Sequence, residues 1–229
     1  MRFDWPLQQI EWYERAVRWT HFDAFLYDAC QEYLSPDETI CDLGCGIGYM
    51  SRYLCQKGYP VTAIDRSENA IRYLRQLAVQ EHFPNLSIHC VDWTTLPKDQ
   101  TWDTLLMCFA GFLEVDELPF KKRLITFTNE RHLSNYVSDA PSPYDYEAQR
   151  LAAKRIDPSR YTWHYRHLTG EFGQPLRSLE EAREYFATYR YDVAPHELEQ
   201  RLIATGDSEF PWYFPHKKEV GLYVIERRG

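Results

Sequence analysis

From Glu38 onward the chain alternates short apolar runs with stretches whose apolar residues recur at helical spacing. That rhythm predicts an α/β fold, a mostly parallel sheet wound with helices on both faces. Thr39–Leu43 reads as a first strand. Tyr49–Lys57 reads as a helix that Gly58 ends in a left-handed conformation, and Val61–Ile64 as a second strand. Ser67 is placed to cap a helix over Asn69–Gln80 that turns Ile71, Leu74, Leu77 and Ala78 to one side. Leu86–Val91, Thr104–Phe109 and Leu124–Thr128 supply a third, fourth and fifth strand.

On either side the pattern differs. Residues 6 to 34 read as two helices, the first opening at Pro6, and they form a strongly aromatic N-terminal arm over residues 1–37. The remainder, 38–229, is expected to be one domain. Between 130 and 177 no clean helix–strand unit appears, and this insertion is expected to be a lid over an acceptor site. Ser178-Leu-Glu-Glu181 then gives a capping box for a helix over Glu180–Tyr189, and a further helix over Pro195–Ala204 closes at Gly206. The aromatic and β-branched runs Phe210–Phe214 and Val220–Glu226 are separated by a loop short enough to favour an antiparallel hairpin.

Composition narrows the function classes. With 26 Lys+Arg against 34 Asp+Glu the net charge is −8, which opposes a whole-surface grip on nucleic acid. The longest apolar run, Leu105–Leu113, is too short to cross a membrane, and Met1–Leu7 has no secretory pattern, so the expected location is the cytoplasm. Six cysteines without a CxxC pair argue against a metal site or a disulfide framework. Cys41, Cys90 and Cys108 fall in apolar runs and are expected to act as small hydrophobes. At 16%, aromatic residues exceed what one core needs, and some are expected around a ligand.

The chemistry concentrates in Asp42-Leu43-Gly44-Cys45-Gly46-Ile47-Gly48, between a strand and a helix. Glycines let the backbone turn tightly and approach a ligand, and the helix N-terminus presents free N–H donors. The dinucleotide fingerprint would place its third glycine at Tyr49, so that pattern is not met. Asp65 follows the second glycine by 19 residues at the end of the second strand, where a carboxylate can accept from two ribose hydroxyls. Asp92-Trp93 closes the third strand with an acceptor for an exocyclic amine beside an aromatic surface.

Together these elements resemble the class I S-adenosylmethionine-dependent methyltransferases over roughly residues 38 to 129 and the terminal hairpin. The resemblance implies a Rossmann-like sheet of seven strands with the last antiparallel, and S-adenosyl-L-methionine as donor with S-adenosyl-L-homocysteine as product. It implies that Gly44, Cys45 and Gly46 pass beneath the methionine part, with Asp42 anchoring the loop or the amino group. Asp65 would hold the ribose and Asp92 the adenine amine, with Trp93 or Arg66 against the ring. Tyr13 and Trp19 would close over the methionine end. After the fourth strand, where base- and glutamine-methylating members carry an Asn-Pro-Pro-Tyr type segment, this chain has Cys108-Phe109-Ala110-Gly111-Phe112. That departure argues against such acceptors, and Cys108 remains a cofactor-side candidate.

The expected acceptor is a small molecule, anionic or aromatic, methylated by in-line transfer. Along Tyr161–His167, period-2 spacing puts Tyr161, Trp163, Tyr165 and His167 on one face and Thr162, His164 and Arg166 on the other. Residues 150 to 167 carry Arg150, Lys154, Arg155, Arg160 and Arg166 against Asp157, so Arg160 or Arg166 is a candidate partner for an acceptor carboxylate. His164, His167, His132 and Glu130 are candidate bases. Two other readings stay open: a SAM-binding protein with a regulatory or partner-binding role, and a peptide or nucleic-acid methyltransferase.

Overall fold

The computed structural model describes residues 4–110, 115–129, 156–189 and 195–229. Helices α1 (Leu7–Thr20) and α2 (Phe22–Cys30) form the arm, and Pro6 precedes α1 in an extended conformation. There follow β1 (Ile40–Leu43), α3 (Tyr49–Gln56), β2 (Val61–Asp65), α4 (Glu68–Glu81), β3 (Leu86–Cys90), β4 (Trp102–Cys108) and β5 (Phe120–Asn129). The C-terminal half adds β6 (Tyr161–Glu171), β7 (Gln174–Leu176), α5 (Leu179–Thr188), the single turn α6 (Pro195–Leu198), β8 (Ile203–Ala204), β9 (Trp212–Phe214) and β10 (Lys217–Arg227). Local signals act where the sequence places them. The Ser67 hydroxyl accepts from Ala70 N at the start of α4, Ser178 from Glu181 N at the start of α5, and Gly58 is left-handed after α3.

The main sheet has seven strands in the order β3-β2-β1-β4-β5-β10-β6. The first five run parallel, and β10 is antiparallel to both its neighbours, β5 and β6. One face, with Ile40, Leu106, Ile125, Phe127 and Leu222, packs beneath Ile10, Phe22, Leu26, Met50 and Leu54 of α1–α3, while α4 covers Ala63 and Ile88. The second face buries Cys41, Leu43, Ile64, Leu105, Met107 and Tyr223. Among the described residues it meets Val115, Leu118 and Ile156, and no α-helix joins that cluster.

Four expectations are corrected here. The terminal runs do not form a hairpin with each other: Trp212–Phe214 pairs with β7 and β8 in a separate three-stranded sheet, and β10 pairs with β5 and β6. The cause is partner length, since β6 gives β10 eleven paired positions, whereas Phe214 is needed in an apolar cluster with Phe186 and Leu198. The helix expected over Pro195–Ala204 is one turn, followed by a 3-10 turn and a two-residue strand. In the expected lid, 130–155 lies outside the described residues, and 156–177 is largely β6 and β7. Its aromatic face is core, with Trp163 and Tyr165 packed on Tyr223. Of the three cysteines assigned to apolar runs, Cys41 is buried, Cys108 is half-buried and Cys90 is exposed on the edge strand β3. Among the described residues no helix is long and apolar enough to cross a membrane.

Helix α1 ties these layers together electrostatically. Glu14 accepts from Arg52 of α3 at 2.6 Å and from Arg18 at 2.6 Å, with Glu14 and Arg52 both buried. Arg15 reaches Glu181 of α5 at 2.8 Å and the Pro175 carbonyl at 3.1 Å, and Trp12 Nε1 donates to the same carboxylate. Removing one member of a buried pair strands the other charge in a poor solvent. Glu14→Ala should therefore cost about 3 kcal/mol in denaturant unfolding, whereas Glu197→Ala, whose 4.0 Å pair with Arg201 is exposed, should cost less than about 0.5 kcal/mol.

Candidate active site

The site grows from the turn after β1. Gly44 N and Cys45 N both donate to the Ile64 carbonyl at 2.8 and 3.0 Å, which holds the loop across the end of β2. Gly46, at φ +53°, then turns its N–H to Asp65 Oδ2 at 2.8 Å. Gly48, at φ +71°, lets α3 start against α4, where a Cβ would lie 2.5 Å from Leu74. Asp65 is shared: its Oδ1 accepts from Ser67 N at 2.8 Å, so one carboxylate joins the glycine loop to the α4 cap.

The arm is fastened at the same point. Trp5 N donates to Ser67 Oγ at 3.2 Å, Ser67 Oγ donates to the Asp4 carboxylate, and Asn69 Nδ2 donates to the Trp5 carbonyl at 3.0 Å. These bonds lay the Trp5 ring against Gly46, 3.6 Å from where a Cβ would project. Tyr13 stands edge-on to Trp5, with ring centroids 5.5 Å apart, and contacts Tyr49 at 5.6 Å.

Between arm and strand ends lies a cavity of about 570 Å³, within the range of small-molecule and cofactor sites. Gly44, Cys45, Gly46, Asp65, Arg66, Asp92, Trp93, Cys108 and Tyr13, all candidates for the cofactor side, line this one cavity. Asp92 caps a short turn by accepting from Thr94 N and Oγ1, and its Oδ2 lies 4.0 Å from Arg66. Val91 and Trp93 give the cavity an apolar wall at that end. Burial pushes the Cys108 thiol and the Tyr13 hydroxyl upward, so both are neutral hydrogen-bonding groups.

Other candidates are placed elsewhere. Asp42 does not line the cavity. It is 1% exposed behind the loop, its Oδ2 accepts from Ser51 Oγ at 2.5 Å, and its Oδ1 has no hydrogen-bond partner among the described residues. Its role is thus to anchor the loop to α3. His164, Arg166 and His167 are exposed on the edge strand β6 and do not reach the cavity. Arg166 turns back to the Ala29 carbonyl and Glu32, His167 lies 2.8 Å from Glu219, and Arg160 pairs with Asp116. Edge-strand geometry, which the period-2 reading could not place within the sheet, carries all three away from the strand ends that hold the site. Trp19 packs on Phe210 and Tyr213 instead of the cavity. Glu130 and His132 lie outside the described residues.

The structure also adds residues that sequence reasoning missed: Trp5, Tyr49, Phe109, Asn129 and Lys218. Phe109 holds a left-handed φ of 58°, costly for an aromatic residue, and its N–H is secured by the Phe127 carbonyl at 2.8 Å. The ring so placed lies 3.6 Å beneath Lys218 Nζ. Rings of Phe172, Phe22 and Tyr13 stand at 4.8, 5.5 and 5.9 Å from the same nitrogen. Burial in this cage lowers the Lys218 pKa to about 7. The only signal in the sequence was a cation at the head of the last strand.

With this geometry in hand, comparison with known proteins is informative. A family model described as "Methyltransferase domain" matches residues 40–125, which contain the glycine loop, Asp65, Asp92 and Phe109. No curated protein matches the chain. Among solved structures, the YcgJ protein from Bacillus subtilis aligns with TM-score 0.53 and 12% identity, covering 91% of this chain and 99% of that one. The structure titled "Conversion of a Disulfide Bond into a Thioacetal Group during Echinomycin Biosynthesis" aligns with TM-score 0.54 and 15% identity, covering 88% and 81%. Coclaurine N-methyltransferase bound to N-methylheliamine and S-adenosylhomocysteine aligns with TM-score 0.50 and 14% identity, covering 88% and 71%. At such identities the structural matches establish the fold.

Residues 40–125 thus match a methyltransferase domain, and the sheet order is that of the Rossmann-like methyltransferase fold. The lining fits S-adenosylmethionine in kind: the glycine-loop backbone, the carboxylates of Asp65 and Asp92, and the apolar side chains of Val91 and Trp93.

Asp42 offers a test of the loop anchor. Burial favours the neutral acid, pushing its pKa from 3.8 up to about 7, with Ser51 opposing and Asp65 adding to the rise. The folded state therefore binds the extra proton, and the stability this contributes is lost as pH rises from roughly 4 through 7. Relative to wild type, Asp42→Asn should gain in melting temperature between about pH 5 and pH 8; a difference constant across that range would refute the assignment.

Proposed function

We propose that the chain transfers methyl from S-adenosylmethionine to a small acceptor with an aromatic or apolar body. What carries this reading is the end of the cavity near β4 and β5, which Tyr13, Tyr49 and Phe109 line with rings beside Asn129 and Lys218. Such a lining suits a compact planar molecule, and among the described residues it carries no basic stripe for a phosphate backbone. An acceptor carboxylate would have lost Arg166 and Arg160 as partners, since both are engaged on the surface. This favours the aromatic over the anionic form of the reading.

In this scheme the donor supplies an electrophilic methyl on its sulfonium, and the chain's own groups hold and orient it. Asp65, already fixed by Gly46 N and Ser67 N, keeps acceptor lone pairs for the ribose hydroxyls. Asp92 takes the adenine amine, and Val91, Trp93 and the Arg66 stem flank the ring. The backbone at Gly44–Gly46 runs beneath the methionine part, with Cys108 and Tyr13 at its far end. Trp5 and Tyr13 exclude water, so holding the reacting atoms in line is the main contribution to rate. A reducing compartment such as the cytoplasm suits the six unpaired cysteines.

Calorimetry tests the donor roles. S-adenosylmethionine and S-adenosylhomocysteine should both bind. Asp65→Ala, with its fold checked by circular dichroism, should weaken both by roughly tenfold or more, as loss of charge-assisted bonds requires. Unchanged affinity would remove Asp65 from the ribose. For the acceptor, a panel of small phenols and aryl amines should take label from methyl-labelled donor. Label appearing on oligonucleotide or peptide alone would overturn the small-molecule reading.

A further inference from the structure

The cage around Lys218 is more than packing. Its nitrogen makes no hydrogen bond or ion pair among the described residues, an unusual state for an ammonium group, and it faces the rings of Phe109, Phe172, Phe22 and Tyr13. Ring faces attract a cation through the quadrupole and need no N–H for it, which is why they suit methylated ammonium groups. Methylation at this nitrogen would therefore sacrifice no hydrogen bond. Lys218 also lines the donor cavity beside Cys108, Phe109 and Asn129, at the end assigned above to the methionine part.

We propose that Lys218 is a methyl acceptor of the chain's own, taking one methyl from bound S-adenosylmethionine and keeping it within the aromatic cage. The inference rests on the donor placement of the preceding section. The Nζ lone pair forms the new N–C bond, the S–CH3 bond breaks with its electrons going to sulfur, and S-adenosylhomocysteine leaves. Positive charge passes from sulfur to nitrogen, so this first transfer needs no base.

The nucleophile is the neutral amine, and burial makes that form accessible near pH 7. The titratable groups around it are Tyr13 of α1, Tyr49 of α3, Cys108 at the end of β4 and His216 before β10; Phe22 of α2 and Phe172 after β6 are apolar. Burial holds Tyr13, Tyr49 and Cys108 neutral and pushes His216 downward; Asp42, behind the loop, titrates near pH 7 as Lys218 does, and it is common to the wild type and the Lys218 variants.

The test uses the purified full chain with S-adenosylmethionine carrying a trideuterated methyl, read by intact mass and peptide mapping. One label per chain is expected, on Lys218, forming several-fold faster at pH 8 than at pH 6, and absent from Lys218→Arg. A second readout needs no turnover. A protonated Lys218 repels the sulfonium but not neutral sulfur, so the affinity ratio of S-adenosylmethionine to S-adenosylhomocysteine should rise several-fold over the same range and be flat in Lys218→Gln. Donor binding without label on Lys218, label on other residues, or a ratio whose pH profile Lys218→Gln leaves unchanged would each overturn the proposal. Failure of either nucleoside to bind would overturn the donor placement as well, and calorimetry separates that result from the others.

Discussion

The site depends on one carboxylate with two duties. Asp65 accepts from the N–H of Gly46 and from the N–H of Ser67, so the glycine loop and the first turn of α4 cannot move independently. Both bonds are charge-assisted, stronger than neutral ones, and they come from backbone groups that would otherwise go unpaired. They set the width of the crevice at the ends of β1 and β2, where a doubly wound sheet presents its ligand site. The anion that shapes the loop is, on the proposed reading, the one that receives the ribose hydroxyls.

Closure of that crevice comes from far along the chain. Asp4 and Trp5 fasten to the Ser67 cap, and α1 is held by Arg52 on one side and by Glu181 on the other. Trp5 and Tyr13 are therefore carried over the loop on a helix fixed at both flanks. The aromatic surplus in the composition finds its explanation here and in the cage around Lys218, where rings from α1, α2, the turn after β4 and the turn after β6 meet.

What the sequence disclosed divides along the range of the interactions. Ser67, Gly58 and Ser178 act through neighbours within a few residues, and their caps were legible. Gly44, Gly46, Asp65 and Asp92 sit at strand ends whose order follows from chain direction, so their convergence on one cavity was legible too. The terminal hairpin was misread because pairing is non-local: loop length favours a hairpin, but β10 gains far more from the long β6 than from three-residue β9. The same omission put His164, Arg166 and His167 near the acceptor. Alternation along β6 was read correctly, but not its position at the sheet edge. Lys218 left only the signal of a cation at the head of the last strand, and the meaning of Lys218 and Phe109 arises where separate elements converge.

A crystal structure of the complex with S-adenosylhomocysteine tests the central claim most directly. The account predicts both ribose hydroxyls donating to Asp65 while Gly46 N and Ser67 N keep their bonds to it, with the homocysteine sulfur directed toward Phe109 and Lys218. A ribose held by other residues, or a loop that releases Asp65 when the nucleoside enters, would contradict it.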